Sequence, residues 1–361
     1  MNILFATGHP AQIHTFNPLK VELEKRGHKI FWVASNKDIS RYLLKYYDID
    51  YTLLARPKNG SFLSKVKIMI ENYRITRRVI KQNKINFVFS RINPPVVLAS
   101  YLARVNQIGM TDTEITGIYN TIFSKLLNST LTATSFEKQL VKNQIRFKGN
   151  IELFYLHPKR FQPKESGWDI LGIEKGTPYV VMRFVAWGAF HDKGHSGFSD
   201  EMKLNAIKEF SKYAKVFVSS EKQLSKEFAE YQIKIPFEKM HQVMKDATLF
   251  FGEGASMASE SAVLGVPAIY INDLWAGSTN DLTRFGLMFS YKQDEKSQIE
   301  SINKGIELLS QRDLKPIWKE CWNNFMQDKI DVTAFFVWFI ENYPESAKIM
   351  KENPNYQDRF R

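Results

Sequence analysis

The chain has 361 residues, 44% apolar and 14% aromatic, which excludes a disordered or fibrous chain and exceeds one ordinary core, so two domains of roughly 150–200 residues are expected. A single cysteine, Cys321, excludes an internal disulfide and a cysteine-based zinc site within one chain, and fits a reducing cytoplasm. The net charge of +12 is uneven: residues 1–160 hold 25 Lys and Arg against 10 Asp and Glu, residues 161–361 hold 25 against 28, so an anionic membrane or polyanion partner is sought in the first half, against the alternative of a general basic bias.

The opening MNILFATGHP lacks the basic region and cleavage site of a secretory signal, and no apolar run approaches the ~20 residues that span a bilayer. Residues 2–6 read as a strand, followed by the turn formers Thr7-Gly8-His9-Pro10 and a helix from His14 to Arg26 that Gly27 ends. Strands are expected at His28–Ala34 and Tyr51–Leu54, with a helix at Ile39–Tyr47 between them. Residues 61–82 form a long helix with an apolar stripe of Phe62, Val66, Met69, Tyr73 and Ile80. Lys67, Arg74, Arg78 and Lys81 share one face of it, suited to an anionic membrane or simply solvated.

Asn86–Ser90 is the next strand, Pro94-Pro95 lie in the loop after it, a helix then runs to Arg104, and Gln107–Met110 leads into Thr111-Asp112-Thr113-Glu114. A helix from Ile115, a strand at Ser129–Thr134 and a short helix from Phe136 complete this half. Pro158, Pro163 and Gly167 mark a boundary. Domains are therefore expected at 1–160 and 161–330, with a helical segment at 331–361 that packs back on the first. The second half repeats the rhythm: strand Tyr179–Val185, a Gly/His loop to Ser199, helix Asp200–Tyr213, strand Lys215–Ser219, strand Gln232–Ile235 and helix Phe237–Asp246. After residue 272 come helix Asn280–Phe285, strand Leu287–Tyr291, helices near 297–310 and 315–327, and an aromatic helix over 332–343. The alternation of strand and helix predicts doubly wound parallel sheets.

Residues 247–272, ATLFFGEGASMASESAVLGVPAIYIN, carry the strongest local signal. They read as strand, Gly252 and Gly254 turn, helix from Ala255 or Ser256 to Leu264, Gly265-Val266-Pro267 stop, and strand. The helix N-terminus then lies at the carboxyl end of a parallel sheet, where phosphates bind. Glu260 lies four residues after Ser256 on the same face, where a carboxylate can accept bonds from the vicinal diol of a ribose. Arg183 ends a strand and can reach a phosphate.

Transfer from a donor held by its phosphates needs a base near the accepting hydroxyl and positive charge near the leaving diphosphate. His9, His14 and Asp112 are the candidate bases, each after a first-half strand; His9 could instead brace its loop and Asp112 cap a helix. His191, Asp192 and His195 in HDKGH could hold a metal, but two histidines and one aspartate are a weak metal signal, and no obligatory metal is expected.

GHPAQIH (8–14), RGHKI (26–30), TDTE (111–114), YLHPKRF (155–161) and GASMASESAVLGVPAI (254–269) resemble a prokaryotic family of predicted glycosyltransferases. That family is similar to the nonhydrolysing UDP-N-acetylglucosamine 2-epimerases and to the N-acetylglucosaminyltransferase of peptidoglycan synthesis. The resemblance spans nearly the whole chain. It implies an α/β chain of GT-B architecture, two Rossmann-like domains facing a cleft, with a nucleotide sugar (a UDP-sugar first) as donor substrate. Gly254, Ala255 and Ser256 then match the diphosphate turn, Glu260 the ribose contact, and His14 the position suspected of acid/base or acceptor work. The His-Arg pair of the epimerases is not reproduced in PYVVMRFVAWGAFHDKGH. The expected protein is a cytoplasmic glycosyltransferase, possible also at the inner membrane face, acting on a glycan or lipid-linked acceptor in envelope or capsule synthesis. Its alternatives are an epimerase or hydrolase on the same fold and a non-catalytic nucleotide-sugar binder; nucleic acid is not an expected partner, since no recognition motif is present.

Overall fold

A computed structural model describes residues 1–56, 61–112, 114, 117–184, 198–220, 224, 226–274, 276–311 and 314–361, the side chains of 117–119 and 314–315 excepted. The chain divides into two compact units, Met1–Tyr155 with Lys329–Arg361, and Leu156–Asp328.

In the first unit, β1 (Asn2–Thr7), α1 (Pro10–Lys25), β2 (Lys29–Ser35), α2 (Asp38–Tyr46), β3 (Thr52–Leu54), α3 (Phe62–Gln82) and β4 (Phe87–Ser90) follow in order. Then come α4 (Pro94–Leu102), β5 (Asn106–Met110), α5 (Gly117–Ser124), β6 (Ser129–Ala133), β7 (Gln144–Phe147) and α6 (Leu153–Leu156). The strands pair in parallel in the order β3-β2-β1-β4-β5-β6-β7. Ile3, Leu4 and Phe5 are fully buried, as a strand covered on both faces requires.

Two expectations fail in this unit and a third holds in part. Residues from Phe136 to Val141 are irregular instead of helical, and Gln144–Phe147 supplies an unforeseen seventh strand. That strand is short and alternates: Ile145 and Phe147 are buried while Gln144 donates to Thr132 Oγ1 at 2.9 Å. Such a polar edge strand looks like loop in sequence. The apolar stripe assigned to α3 holds only in part: Ile80 is buried and Tyr73 packs on the core, but Phe62 is 79% and Met69 42% exposed while Asn72 and Thr76 are buried. Asn72 bonds both backbone groups of Ala55 (2.7 and 3.2 Å) and Thr76 Oγ1 donates to the Asn72 carbonyl at 2.8 Å, so these polar groups are satisfied inside.

The second unit contains α7 (Gly167–Leu171), β8 (Tyr179–Arg183), α8 (Asp200–Phe210), β9 (Lys215–Ser219), α9 (Met240–Asp246), β10 (Leu249–Gly252) and α10 (Ala255–Val263). It continues through β11 (Ala268–Ile271), α11 (Gly277–Arg284), β12 (Met288–Tyr291), α12 (Glu295–Ser310) and α13 (Leu314–Asp328). The parallel order is β12-β11-β10-β8-β9. The strand expected at Gln232–Ile235 is only a bridge between Gln232 and Val218, and Pro236 has no N–H to extend the ladder. The two sheets with their intervening helices make two Rossmann-like units.

The aromatic C-terminal stretch forms α14 (Val332–Glu341), then α15 (Glu345–Glu352) and a 3-10 turn, Pro354–Phe360, all within the first unit. Phe336 of α14 sits 5.5 Å from Phe89, 5.2 Å from Phe147 and 4.7 Å from Phe154, centroid to centroid. Among the described residues no helix is long and apolar enough to cross a membrane.

Candidate functional site

In the second unit the strand order reverses between β8 and β10: β8 leads to β9 on one side, β10 to β11 and β12 on the other. The carboxyl ends of strands at such a reversal form the ligand crevice of open α/β sheets. Arg183 ends β8 and Gly252 ends β10, side by side in the ladder. A Cβ on Gly252 would lie 2.4 Å from the Arg183 carbonyl oxygen, so only glycine allows this approach. The Glu253 N–H donates to that same carbonyl at 3.1 Å and closes the turn.

Gly254 is the N-cap of α10, with no side-chain cap. The first-turn amides of the helix therefore have neither an intrahelical nor a capping acceptor, the condition for anion binding. Arg183 runs beside this end, its Cγ 3.4 Å from where a Gly254 Cβ would stand, and its Nη1 donates to Ser219 Oγ at 3.1 Å. The structure thus gathers Arg183, Gly254, Ala255 and Ser256 at one strand end.

Glu260 lies further along α10, on a segment where residues 258–263 are all buried. Its Oε1 meets His241 Nε2 of α9 at 3.1 Å, and the His241 ring stands edge-on to Phe161 at 6.5 Å. An ordinary exposed helix glutamate is ruled out. Sequence reasoning missed His241, which has no local motif, and Glu253, which the two flanking glycines of Gly252-Glu253-Gly254 could have flagged. Glu253 is 2% exposed; its Oε1 accepts from the Phe198 N–H at 2.7 Å and its carbonyl accepts from Asn272 Nδ2 at 3.1 Å. It ties the turn to the residue that precedes α8 and to the end of β11.

The first unit reverses between β1 and β4; of the other candidates His9 follows β1, His14 lies in α1 and Asp112 follows β5. The helix expected from His14 begins at Pro10 instead, because His9 caps it: His9 Nδ1 accepts from the Ala11 N–H at 3.3 Å and Pro10 needs no N–H partner there. His9 thus braces the start of α1. His14 lies inside α1, half-buried, with Nδ1 2.7 Å from the Tyr47 hydroxyl and its ring 5.9 Å from that of Tyr155. Asp112 is ion-paired with the Arg91 guanidinium, so its carboxylate is already neutralised.

His191, Asp192 and His195 lie outside the described residues. Among the described residues no group of three or more His, Cys, Asp or Glu could hold a metal ion. A cavity of about 690 Å³ in the second unit, lined by Trp168, Lys245, Trp318 and Trp322, also touches Pro178, Thr248 and Pro267, just ahead of β8, β10 and β11. It lies at the opposite end of the strands from Arg183 and Gly252, so it is not the crevice described above.

No family model and no curated protein matches the sequence. Solved structures do. MnaA from S. aureus, solved with UDP, is 11% identical, covers 96% of this chain and 97% of its own, and gives a TM-score of 0.68. The UDP-GlcNAc 2-epimerase of Neisseria meningitidis, bound to UDP-GlcNAc, is 13% identical over 99% of this chain and 100% of its own, with a TM-score of 0.64. Acinetobacter baumannii MurG is 15% identical over 94% of this chain and 99% of its own, with a TM-score of 0.60. With two parallel-sheet units and these likenesses over nearly its full length, the chain has the GT-B fold.

Proposed function

We propose that the protein is a nucleotide-sugar-dependent glycosyltransferase, with a UDP-sugar as donor and a glycan or lipid-linked glycan of envelope or capsule synthesis as acceptor. The observation that carries the reading is the uncapped start of α10 beside Arg183, with Glu260 held by His241 further along the same helix. The donor diphosphate sits on the amides of Ala255 and Ser256 and on the Arg183 guanidinium, bidentately. The Glu260 carboxylate accepts from the ribose hydroxyls.

In the reaction, His14 takes the proton of the acceptor hydroxyl as its oxygen bonds to the anomeric carbon. The bond from that carbon to the β-phosphate oxygen breaks, and UDP leaves with the electron pair. The charge that develops on UDP is met by Arg183 and the helix amides, which need no metal ion. Unlike His9 and Asp112, His14 has a hydroxyl partner that orients it without neutralising it.

The solved structure of a 2-epimerase bound to UDP-GlcNAc, with a TM-score of 0.64, makes epimerisation the second reading. Incubation of the purified protein with UDP-GlcNAc separates them. A transferase releases UDP only when an acceptor is added, an epimerase alters the sugar with donor alone, and a hydrolase releases UDP without acceptor. Binding without turnover across donor and acceptor panels would contradict an enzymatic role.

A further inference from the structure

We infer that the outer face of α3 docks on an anionic phospholipid bilayer. The helix is held inward by Asn72, Thr76, Val79 and Ile80, the residues of it that are buried. At 100° per residue, Lys67, Arg74 and Lys81 form one row on the opposite face, with Arg78 beside Arg74 and Arg77 at the edge. Leu63 and Ile70 form the adjoining row, 79% and 45% exposed, and Phe62 at the helix start is 79% exposed. Lys67, Arg74 and Lys81 thus run beside Leu63 and Ile70, both exposed.

Two contrasts separate this face from an ordinary solvated one. Several lysines in or beside other helices pair with acids three or four residues away: Lys20 with Glu24, Lys203 with Asp200, Lys212 with Glu209, Lys304 with Glu307. On α3 the cations Lys67, Arg74, Arg77, Arg78 and Lys81 make no ion pair among the described residues, and Glu71 is the helix's one acid. Secondly, a purely electrostatic partner such as a nucleic acid gains nothing from Phe62, Leu63 and Ile70. A bilayer interface takes both, the apolar side chains below the headgroups and the cations among them. The charge excess of residues 1–160 has the same sign. This inference does not rest on the nucleotide-sugar reading.

Cosedimentation of the full chain with phosphatidylcholine vesicles, with or without phosphatidylglycerol, tests it. The wild type should pellet with the anionic vesicles only, and high salt should release it. Changing Lys67, Arg74, Arg78 and Lys81 together to Glu should lower binding about 1,000-fold or more. Changing Phe62, Leu63 and Ile70 together to Ser should weaken it about 10-fold or more, with the salt dependence kept. Circular dichroism should match the wild type in both variants, because these side chains lie outside the core. Failure of the wild type to pellet, equal binding to neutral vesicles, or an unaffected charge variant each overturns the inference. An apolar variant that binds as the wild type does would overturn the part given to Phe62, Leu63 and Ile70. Should a variant not fold, the lipid and salt dependence of the wild type alone decides.

Discussion

Glu260 Oε1 of α10 stands 3.1 Å from His241 Nε2 of α9, and both residues are buried. A carboxylate fixed in this way is oriented before any ligand arrives, but its loss also removes a partner from a buried ring. Glu260→Ala should therefore cost about 1–3 kcal/mol of stability as well as nucleotide affinity. Glu260→Gln keeps an acceptor for His241 and should stay closer to wild-type stability while binding UDP more weakly. Urea unfolding of both variants beside UDP titration separates the two effects. Equal UDP affinity in all three proteins removes the ribose role.

Gly252 permits the contact between β8 and β10 on which the crevice is built. A methyl group there meets the Arg183 carbonyl at 2.4 Å, and backbone cannot yield as a side-chain tip can. Gly252→Ala should destabilise by about 1–3 kcal/mol, the range for an overpacked core, and should lower nucleotide affinity by displacing Arg183. Denaturant midpoints measure the first effect and calorimetric titration the second. A variant as stable as the wild type would contradict the packing.

His14 and Tyr47 share a 2.7 Å hydrogen bond. His14→Ala should lower kcat about 100-fold or more with UDP affinity unchanged, the usual worth of a general base. Tyr47→Phe should lower kcat less, since the hydroxyl only orients the ring. Asp112→Asn should cost under about 10-fold if pairing with Arg91 is its role. A larger loss at Asp112 than at His14 would exchange their roles.

Asp294 caps α12, accepting from the Ser297 N–H at 3.0 Å and the Ser297 hydroxyl at 2.7 Å, and these bonds hold its carboxyl below the ordinary value. The folded pKa is the lower one, so the cap's contribution is full above the unfolded value of 3.8 and is lost as pH falls through the folded value. The Tm gap between wild type and Asp294→Ala should be open at neutral pH and close on acidification below that range. A gap that does not change with pH would contradict the linkage.

Elements marked by glycine, proline and apolar runs were legible in the sequence. The βαβ unit over residues 247–272 appears as β10, α10 and β11 within two residues of its expected bounds, because Gly252, Gly254, Gly265 and Pro267 punctuate it. Features that depend on distant partners were not. β7 exists because β6 offers it an edge, and the buried polar side of α3 exists because Ala55 satisfies Asn72. Of the candidate site, Arg183, Gly254 and Glu260 could be read from strand ends and helix spacing. His241 and Glu253 gain their meaning only from contacts 19 and 55 residues away along the chain.

Thermal shift of the wild type and of Glu260→Gln with UDP tests the nucleotide seat most directly, because a ligand that binds only the folded state must stabilise it. At ligand well above Kd the wild type should gain several degrees with UDP and UDP-GlcNAc, and Glu260→Gln should gain distinctly less from the same concentrations. No shift of the wild type with any nucleoside diphosphate or nucleotide sugar, or the same shift in both proteins, would contradict a nucleotide held by the start of α10 and Glu260.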